Sequence, residues 1–432
     1  MLKRSLIFTS LLLMLGLLNT ACSLGQQEPQ KVSFMVSGDP AEYNAYQELV
    51  NAFQEKHPEI EIELTHIPSA SEYRTRLATE FAAGSPPDVT LMNYRRFGAF
   101  AANNLLEPVG PYLDKSDLIS RDDFYPVATE AFDWQGTLMC LPQNISSLVV
   151  YYNKDLFDAA GVAYPPDKWT WDEFVATATA LTKDLDGDGT IDQYGVGIEP
   201  SLYRLAPFVW QNDAPIVDDT NNPTRLTLTR PPSLAALQWF VDLSVVHGVV
   251  PGRVEEAAQD SESRFIAGTT AMFFDSRRAT PTFREIESFS WDVAPLPYNQ
   301  TTASILHSDG YCMSAATENK EAAWTFIEFA NSVEGQTIIA GTGRTVPSLI
   351  SVAESDAFLN PSVSPSRSYV FIDAAPIMQR VPVISTWDEI EGTADEEIER
   401  AFYGDITAEE AANLAFQRTE EYFLLGITAA KQ

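Results

Sequence analysis

Between Lys31 and Met92 the hydrophobic pattern changes period again and again, and this restricts the fold more than any other feature of the chain. Val32, Phe34 and Val36 alternate as on a strand. Gly38-Asp39-Pro40 breaks the run, and Tyr46, Leu49, Val50 and Phe53 then share one face of a helix from about Glu42 to Lys56. His57-Pro58 stops that helix, and Ile60, Ile62 and Leu64 alternate once more. Glu72 to Ala83 reads as helix, closed by Gly84, before the short apolar strand Val89 to Met92. Strand and helix in strict turn predict an α/β lobe around a largely parallel sheet.

The pattern recurs further on. Leu148 to Tyr152 is an uninterrupted apolar strand, Trp171 to Leu181 an amphipathic helix, and Leu234 to Val246 another. Thr270 to Phe274 and Trp291 to Leu296 read as extended, and Glu321 to Asn331 as a helix with Trp324, Ile327 and Phe329 facing a core. From Asp388 to Leu425 the chain is almost wholly helical, apart from Tyr403-Gly404-Asp405. With 432 residues there is chain enough for two lobes with sizeable cores.

Lys3 and Arg4 precede an apolar run from Leu11 to Leu18, too short to span a bilayer, and Thr20-Ala21-Cys22 follows. This is the pattern of an export signal (residues 1–21). The cysteine makes it a lipoprotein signal, with cleavage before Cys22 and acylation of its thiol. Asn19 stands where such signals usually carry leucine, so a plain secreted protein cut nearby is the other reading. Residues 22–30 form a polar, lipidated tether. The formal charge of −32 excludes nucleic acid and electrostatic docking on anionic lipid, since both attract Lys and Arg. Cys140 and Cys312 either pair in an oxidising compartment or stay as two free thiols. The sequence has no Gly-x-Ser-x-Gly and no His-Glu-x-x-His, and His57, His66, His247 and His307 are scattered, so an enzyme is not expected.

A series of short motifs in order carries a resemblance. They are Phe53-Gln54-Glu55-Lys56-His57-Pro58-Glu59-Ile60, Ala83-Gly84-Ser85-Pro86-Pro87-Asp88-Val89, Leu141-Pro142 and Tyr152-Asn153-Lys154-Asp155-Leu156-Phe157. Trp169-Thr170-Trp171-Asp172-Glu173-Phe174, Gly268-Thr269-Thr270-Ala271-Met272, Ala294-Pro295-Leu296-Pro297 and Asn319-Lys320-Glu321-Ala322-Ala323-Trp324 follow. The chain resembles the extracellular solute-binding proteins of ABC importers, in the sugar-binding group that includes maltose-binding protein. The resemblance implies a two-lobed periplasmic-binding-protein-like α/β fold with hinge strands and an interlobe ligand cleft. On that template residues 31–142 plus 298–332 form the first lobe, 143–290 plus 333–432 the second, and 291–297 a hinge crossing. It also implies a monomer outside the cytoplasm that hands a small carbohydrate to ABC permease subunits in the membrane, without cofactor.

Sugars are held by aromatic faces and by planar polar groups that replace lost water. By position on the template the candidates are Asp39, Tyr43, Tyr94, Arg95, Asn144, Ser146, Trp210, Asp275, Arg278, Gly310, Tyr311, Arg344 and Trp387. Trp210 and Trp387 have core packing as their alternative, and Arg96 reads as a structural or surface charge. Arg95 and Arg278 depart from maltose-binding protein, which keeps an acidic sugar or sugar phosphate open, since guanidinium forks pair best with such anions.

Asp184-Leu185-Asp186-Gly187-Asp188-Gly189-Thr190-Ile191-Asp192 has oxygen donors at alternate positions, like the start of an EF-hand loop. A structural Ca²⁺ held by Asp184, Asp186, Asp188, Thr190 and Asp192 is one reading. The twelfth place is Gly195 rather than a bidentate Glu, and a solvated acidic turn is the other.

Overall fold

The expected strands and helices form close to where the periodicity puts them in the computed structural model, which describes residues 29–38 and 40–429. The expected export signal, Cys22 and Asp39 lie outside these residues. The principal strands are β1 (Gln30–Ser37), β2 (Ile60–Ile67), β3 (Val89–Asn93), β4 (Cys140–Pro142) and β5 (Val149–Asn153). Next come β6 (Tyr194–Gly197), β7 (Thr270–Asp275), β8 (Trp291–Ala294) and β9 (Asp309–Ser314). The principal helices are α1 (Pro40–Lys56), α2 (Ala70–Ala82), α3 (Phe97–Ala102), α4 (Trp171–Leu181) and α5 (Leu202–Gln211). They continue with α6 (Pro231–Val245), α7 (Lys320–Ala330), α8 (Val333–Gly341), α9 (Trp387–Phe402) and α10 (Ala408–Ala429).

Two sheets divide the chain into two lobes. The first runs β2-β1-β3-β9, and β4 and the short strand Leu106–Glu107 pair with the other edge of β9. Its β2, β1 and β3 are parallel, as the alternation predicts. The second runs β8-β5-β7-β6, with β5 antiparallel to both neighbours. The reversed strands β5 and β9 are those by which the chain arrives from the other lobe, so they enter their sheets against the local direction. Every residue of β5 is buried, which is why its run is apolar without alternation. Helix α4 starts at a capping box: Thr170 Oγ1 accepts from Glu173 N, and Glu173 Oε2 accepts from Thr170 N at 2.7 Å. Helix α5, by contrast, is buried on all sides and carries Pro207 inside it. Pro207 reads in sequence as a helix break, which hides this ten-residue helix.

The lobes are joined by extended segments that pair with one another. Ser146 N donates to His307 O and His307 N to Ser146 O, both at 2.7 Å. On the other side of the same segment Asn144 bridges Pro347, and Ile145 N donates to Val346 O. Ser304–Ile305 pairs in parallel with Met378–Gln379. This moves the crossing from the expected 291–297 to residues 304–309. Strand β8 belongs to the second sheet, and beyond it Tyr298 N still donates to Trp169 O and Gln300 N to Gln211 O. Pro295 and Pro297 lack the N–H that would continue β8, so the chain runs over Trp169 before it turns. Helix α8, expected in the second lobe, packs on α1 and α7 of the first. Its Gln336 braces the crossing by donating to Gln143 O at 2.8 Å.

Of the two states open for the cysteines, the pair is formed: Cys140 on β4 and Cys312 on β9 stand directly opposite and are joined, 172 residues apart. Both are fully buried. A cross-link over so long a loop removes much of the freedom of the unfolded chain. Replacing both cysteines by alanine is expected to lower stability by about 3–5 kcal/mol, read as a shift in the urea midpoint; an unshifted midpoint would mean that strand pairing alone holds this edge.

Candidate ligand-binding site

A cavity of about 420 Å³ opens between the lobes, directly over the crossing. The first lobe supplies Ser37 at the end of β1, Glu42 in the first turn of α1, Asn93 at the end of β3, and Arg95 and Arg96 just after it. The crossing supplies Asn144, Ser146, His307 and Asp309. Ser276 and Arg278 come from the turn after β7, Arg344 and Thr345 from the turn after α8, and Asp388 from the start of α9.

Of the residues expected from sequence, the structure brings Arg95, Asn144, Ser146, Arg278 and Arg344 to this wall. Asp275 lies just behind it, buried, with Oδ1 3.1 Å from Arg278 Nε and Oδ2 2.8 Å from Arg278 Nη2. The expected aromatic platforms are elsewhere. The Tyr43 ring packs on His66 at 4.8 Å, and its hydroxyl donates to Gln47. Tyr94 is fully buried, and its hydroxyl accepts from Val381 N at 3.2 Å. Trp210 is buried in α5. Trp387 is 1 % exposed, with its ring N–H donating to Glu391 Oε2 at 2.9 Å. The Tyr311 hydroxyl accepts from Gln143 Nε2, and Gly310 is required by Phe132, whose ring tip would stand 2.7 Å from a Cβ there. No tryptophan among the described residues lines the cavity.

Two of the side chains missed from sequence sit one step away from those chosen. Asp309 precedes the selected Gly310, and it accepts from Asn93 Nδ2 at 3.0 Å while facing Asn144 Nδ2 at 3.5 Å. Arg96, read as structural, lines the cavity and pairs with Asp388 at 2.6 Å. Glu42 lies in the loop that holds Asp39 and Tyr43, whereas Arg74, Thr345 and His307 carried no motif by which they could be picked out.

The wall is rich in guanidinium groups, and carboxylates hold four of them. Arg95 pairs with Glu391 across the lobes and lies over the Tyr203 ring at 4.3 Å. Arg96 has Asp388, Arg278 has Asp275, and Arg344 Nε is 2.8 Å from Glu42. Burial pulls the Arg95 pKa down, but the charge of Glu391, with Tyr203 and Tyr94, more than offsets it and fixes the cation. Burial, with the nearby charges of Arg95, Arg278, Arg204 and Arg344, pushes His307 well below the ordinary histidine range. Its imidazole is therefore neutral at physiological pH, with one donor and one acceptor. Each guanidinium has five N–H donors, of which its carboxylate takes one or two. The arrangement presents fixed donors and acceptors with little net charge, which suits neutral hydroxyls.

One acid behind the wall titrates near neutrality. Burial and the adjacent Glu391 push Asp395 up to about 7, while a hydrogen bond from Leu202 N at 2.6 Å, at the start of α5, pulls the other way. A carboxyl whose folded pKa is raised contributes stability below its unfolded pKa near 4, and that contribution is lost as pH rises through 7. Asp395→Asn, which keeps the acceptor, is expected to gain on the wild type by on the order of 1 kcal/mol or more between pH 5 and pH 8. Thermal midpoints at both pH values check this, and a gap that does not grow with pH would refute it.

Comparison with known proteins accords with this geometry. A profile for bacterial extracellular solute-binding proteins matches residues 37–337. A binding protein of Brucella abortus is 25% identical over 381 residues, spanning 84% of this chain and 87% of its own. The maltotriose-binding protein of Pyrococcus abyssi is 24% identical over 388 residues, spanning 88% and 80%. Among solved structures, an ABC substrate-binding protein of Listeria monocytogenes in complex with cycloalternan superposes with a TM-score of 0.83 at 25% identity, over 91% of this chain and 99% of that one.

Proposed function

The chain belongs to the bacterial extracellular solute-binding proteins, and from that premise we propose that it captures a neutral carbohydrate between its lobes and delivers it to an ABC importer. The observation that carries this reading is the interlobe wall of guanidinium–carboxylate pairs around a neutral His307. Such pairs offer directed donors and acceptors to a ring of hydroxyls, and they leave little unbalanced charge for an anion. An acidic sugar or sugar phosphate would have to displace Glu391 or Asp275 from the arginines expected to hold it. The maltotriose named for the Pyrococcus relative and the cycloalternan bound to the Listeria protein support a sugar as the class. No chemistry is performed on the solute. The protein acts as a monomer; its lobes close over ligand, and the closed form is what the permease subunits recognise.

A thermal-shift screen against neutral oligosaccharides, uronic acids, sugar phosphates and polyols tests the class. Ligands that bind only the native state raise the midpoint. The expected hits are neutral sugars, and hits confined to anions would overturn the reading.

The anchor and the metal complete it. The mature chain is held at the outer face of the membrane by lipid on Cys22, and the buried disulfide supports an oxidising compartment. Cys22→Ser is expected to move the protein from the membrane fraction to the medium or periplasm; unchanged fractionation would exclude the anchor. A structural Ca²⁺ would be held by Asp184, Asp186 and Asp188, whose carboxylate oxygens lie within 4.8 Å of one another. Thr190 and Asp192 would complete the set; Asp184, Asp186, Asp188 and Asp192 each also accept a backbone N–H of the loop. All are exposed, so the ion would stiffen the turn without reaching the cleft.

A further inference from the structure

One side chain of the cavity wall reaches through it into the opposite lobe. Arg95, just after β3, lies with its guanidinium over the ring of Tyr203 in α5, at 4.3 Å, and donates from Nη1 to Glu391 Oε1 of α9. Neither Tyr203 nor Glu391 lines the cavity. Both sides of the contact are held independently of it. The Tyr203 hydroxyl donates to Leu306 O at 3.2 Å, and Glu391 Oε2 accepts from Trp387 Nε1 at 2.9 Å. On the first-lobe side Arg95 donates from Nε and from its backbone N–H to Asn93 Oδ1, at 3.3 and 3.2 Å. The contact is a preformed bolt in a preformed socket, and both charged side chains are largely buried in it.

The socket needs the bolt. Asp395 stands one turn along α9 from Glu391, and the Arg95 charge acts on both acids. Parting the lobes withdraws that charge and leaves the two carboxyl groups to repel each other without it, so closing relieves their contact. A more exposed pair, Arg96 with Asp388 at 2.6 Å, joins the same turn to the same helix. We propose that Arg95 and the Tyr203–Glu391 socket form a latch that draws the lobes together with no contribution from ligand. Each of its contacts runs from side chain to side chain behind the wall, so none waits for an occupant of the cavity. Glu391 is thereby a positioning residue: it holds Arg95 at the wall and does not itself line the cavity. The closed form is populated in advance, and ligand enters during brief opening.

The test is small-angle X-ray scattering of the purified protein, dialysed free of solute. The wild type is expected to match the scattering calculated from this structure. Glu391→Gln is expected to give a larger radius of gyration, since the amide keeps an acceptor for Trp387 but not the charge for Arg95. Arg95→Gln, made from the other lobe, is expected to expand the protein to the same degree. Glu334→Gln, which breaks a pair with Lys56 inside the first lobe, is expected to change nothing. Circular dichroism separates opening from unfolding, and if one of the two latch variants unfolds the other decides. A wild type already more open than this structure, latch variants as compact as the wild type, or an equal expansion in Glu334→Gln would each overturn the proposal. No sugar enters the measurement, so its failure leaves the carbohydrate reading standing.

Discussion

The backbone pairing at the crossing is the constraint on which the rest depends. Residues 143–147 lie between two other extended segments and hydrogen-bond to both, through Ser146 with His307 and through Ile145 with Val346. The same residues deliver Asn144 and Ser146 to the cavity floor, and their partners deliver His307 and Asp309. Hinge and binding floor are therefore one structure. Buried backbone groups must be paired, so this segment cannot shift its register without stranding donors and acceptors on both sides. Bending about it is less costly, and this suits lobes that open and close.

The charge pattern has a different logic in the cleft from that on the surface. A chain with a formal charge of −32 places several of its few arginines around one cavity. Two of them reach carboxylates on α9 of the opposite lobe, Arg95 to Glu391 and Arg96 to Asp388. The first pair is buried, so removing one member would strand the other charge away from water. The second is partly exposed and subject to screening by salt. These contacts exist only while the lobes stand in this relation, so they favour it without fixing it.

Much of the fold could be read from the sequence, because amphipathic helices and half-buried strands write their surroundings into their period. Trp171 to Leu181 is helical at those bounds, and the break at Tyr403-Gly404-Asp405 falls between α9 and α10. Helix α5 was hidden by Pro207, which reads as a break in the middle of its ten residues. The site was legible as a set of loops but not as side chains. Gly310 was chosen beside Asp309 and Trp387 beside Asp388, and in both cases it is the neighbour that lines the cavity. Successive residues point to opposite sides on strand β9 and are turned by about 100° on helix α9, so which of two neighbours faces the cleft depends on packing that only long-range contacts set. The preference for aromatics over acids added to this, since a ring with a buried partner, such as Trp387 on Glu391, looks in sequence like a free platform.

The link between Cys140 and Cys312 closes a covalent ring that contains β5 to β8 and helices α4 to α6, most of the second lobe. Topologically this lobe is a loop hung from the edge of the first sheet by a sulfur clasp. A protease that cuts the chain once within the ring makes a nicked molecule, not two fragments. The stretches before and after the cut remain joined through β4 and β9. After such a cut, the large insertion that forms one half of the cleft therefore stays secured to the half built on β1, β3 and β9.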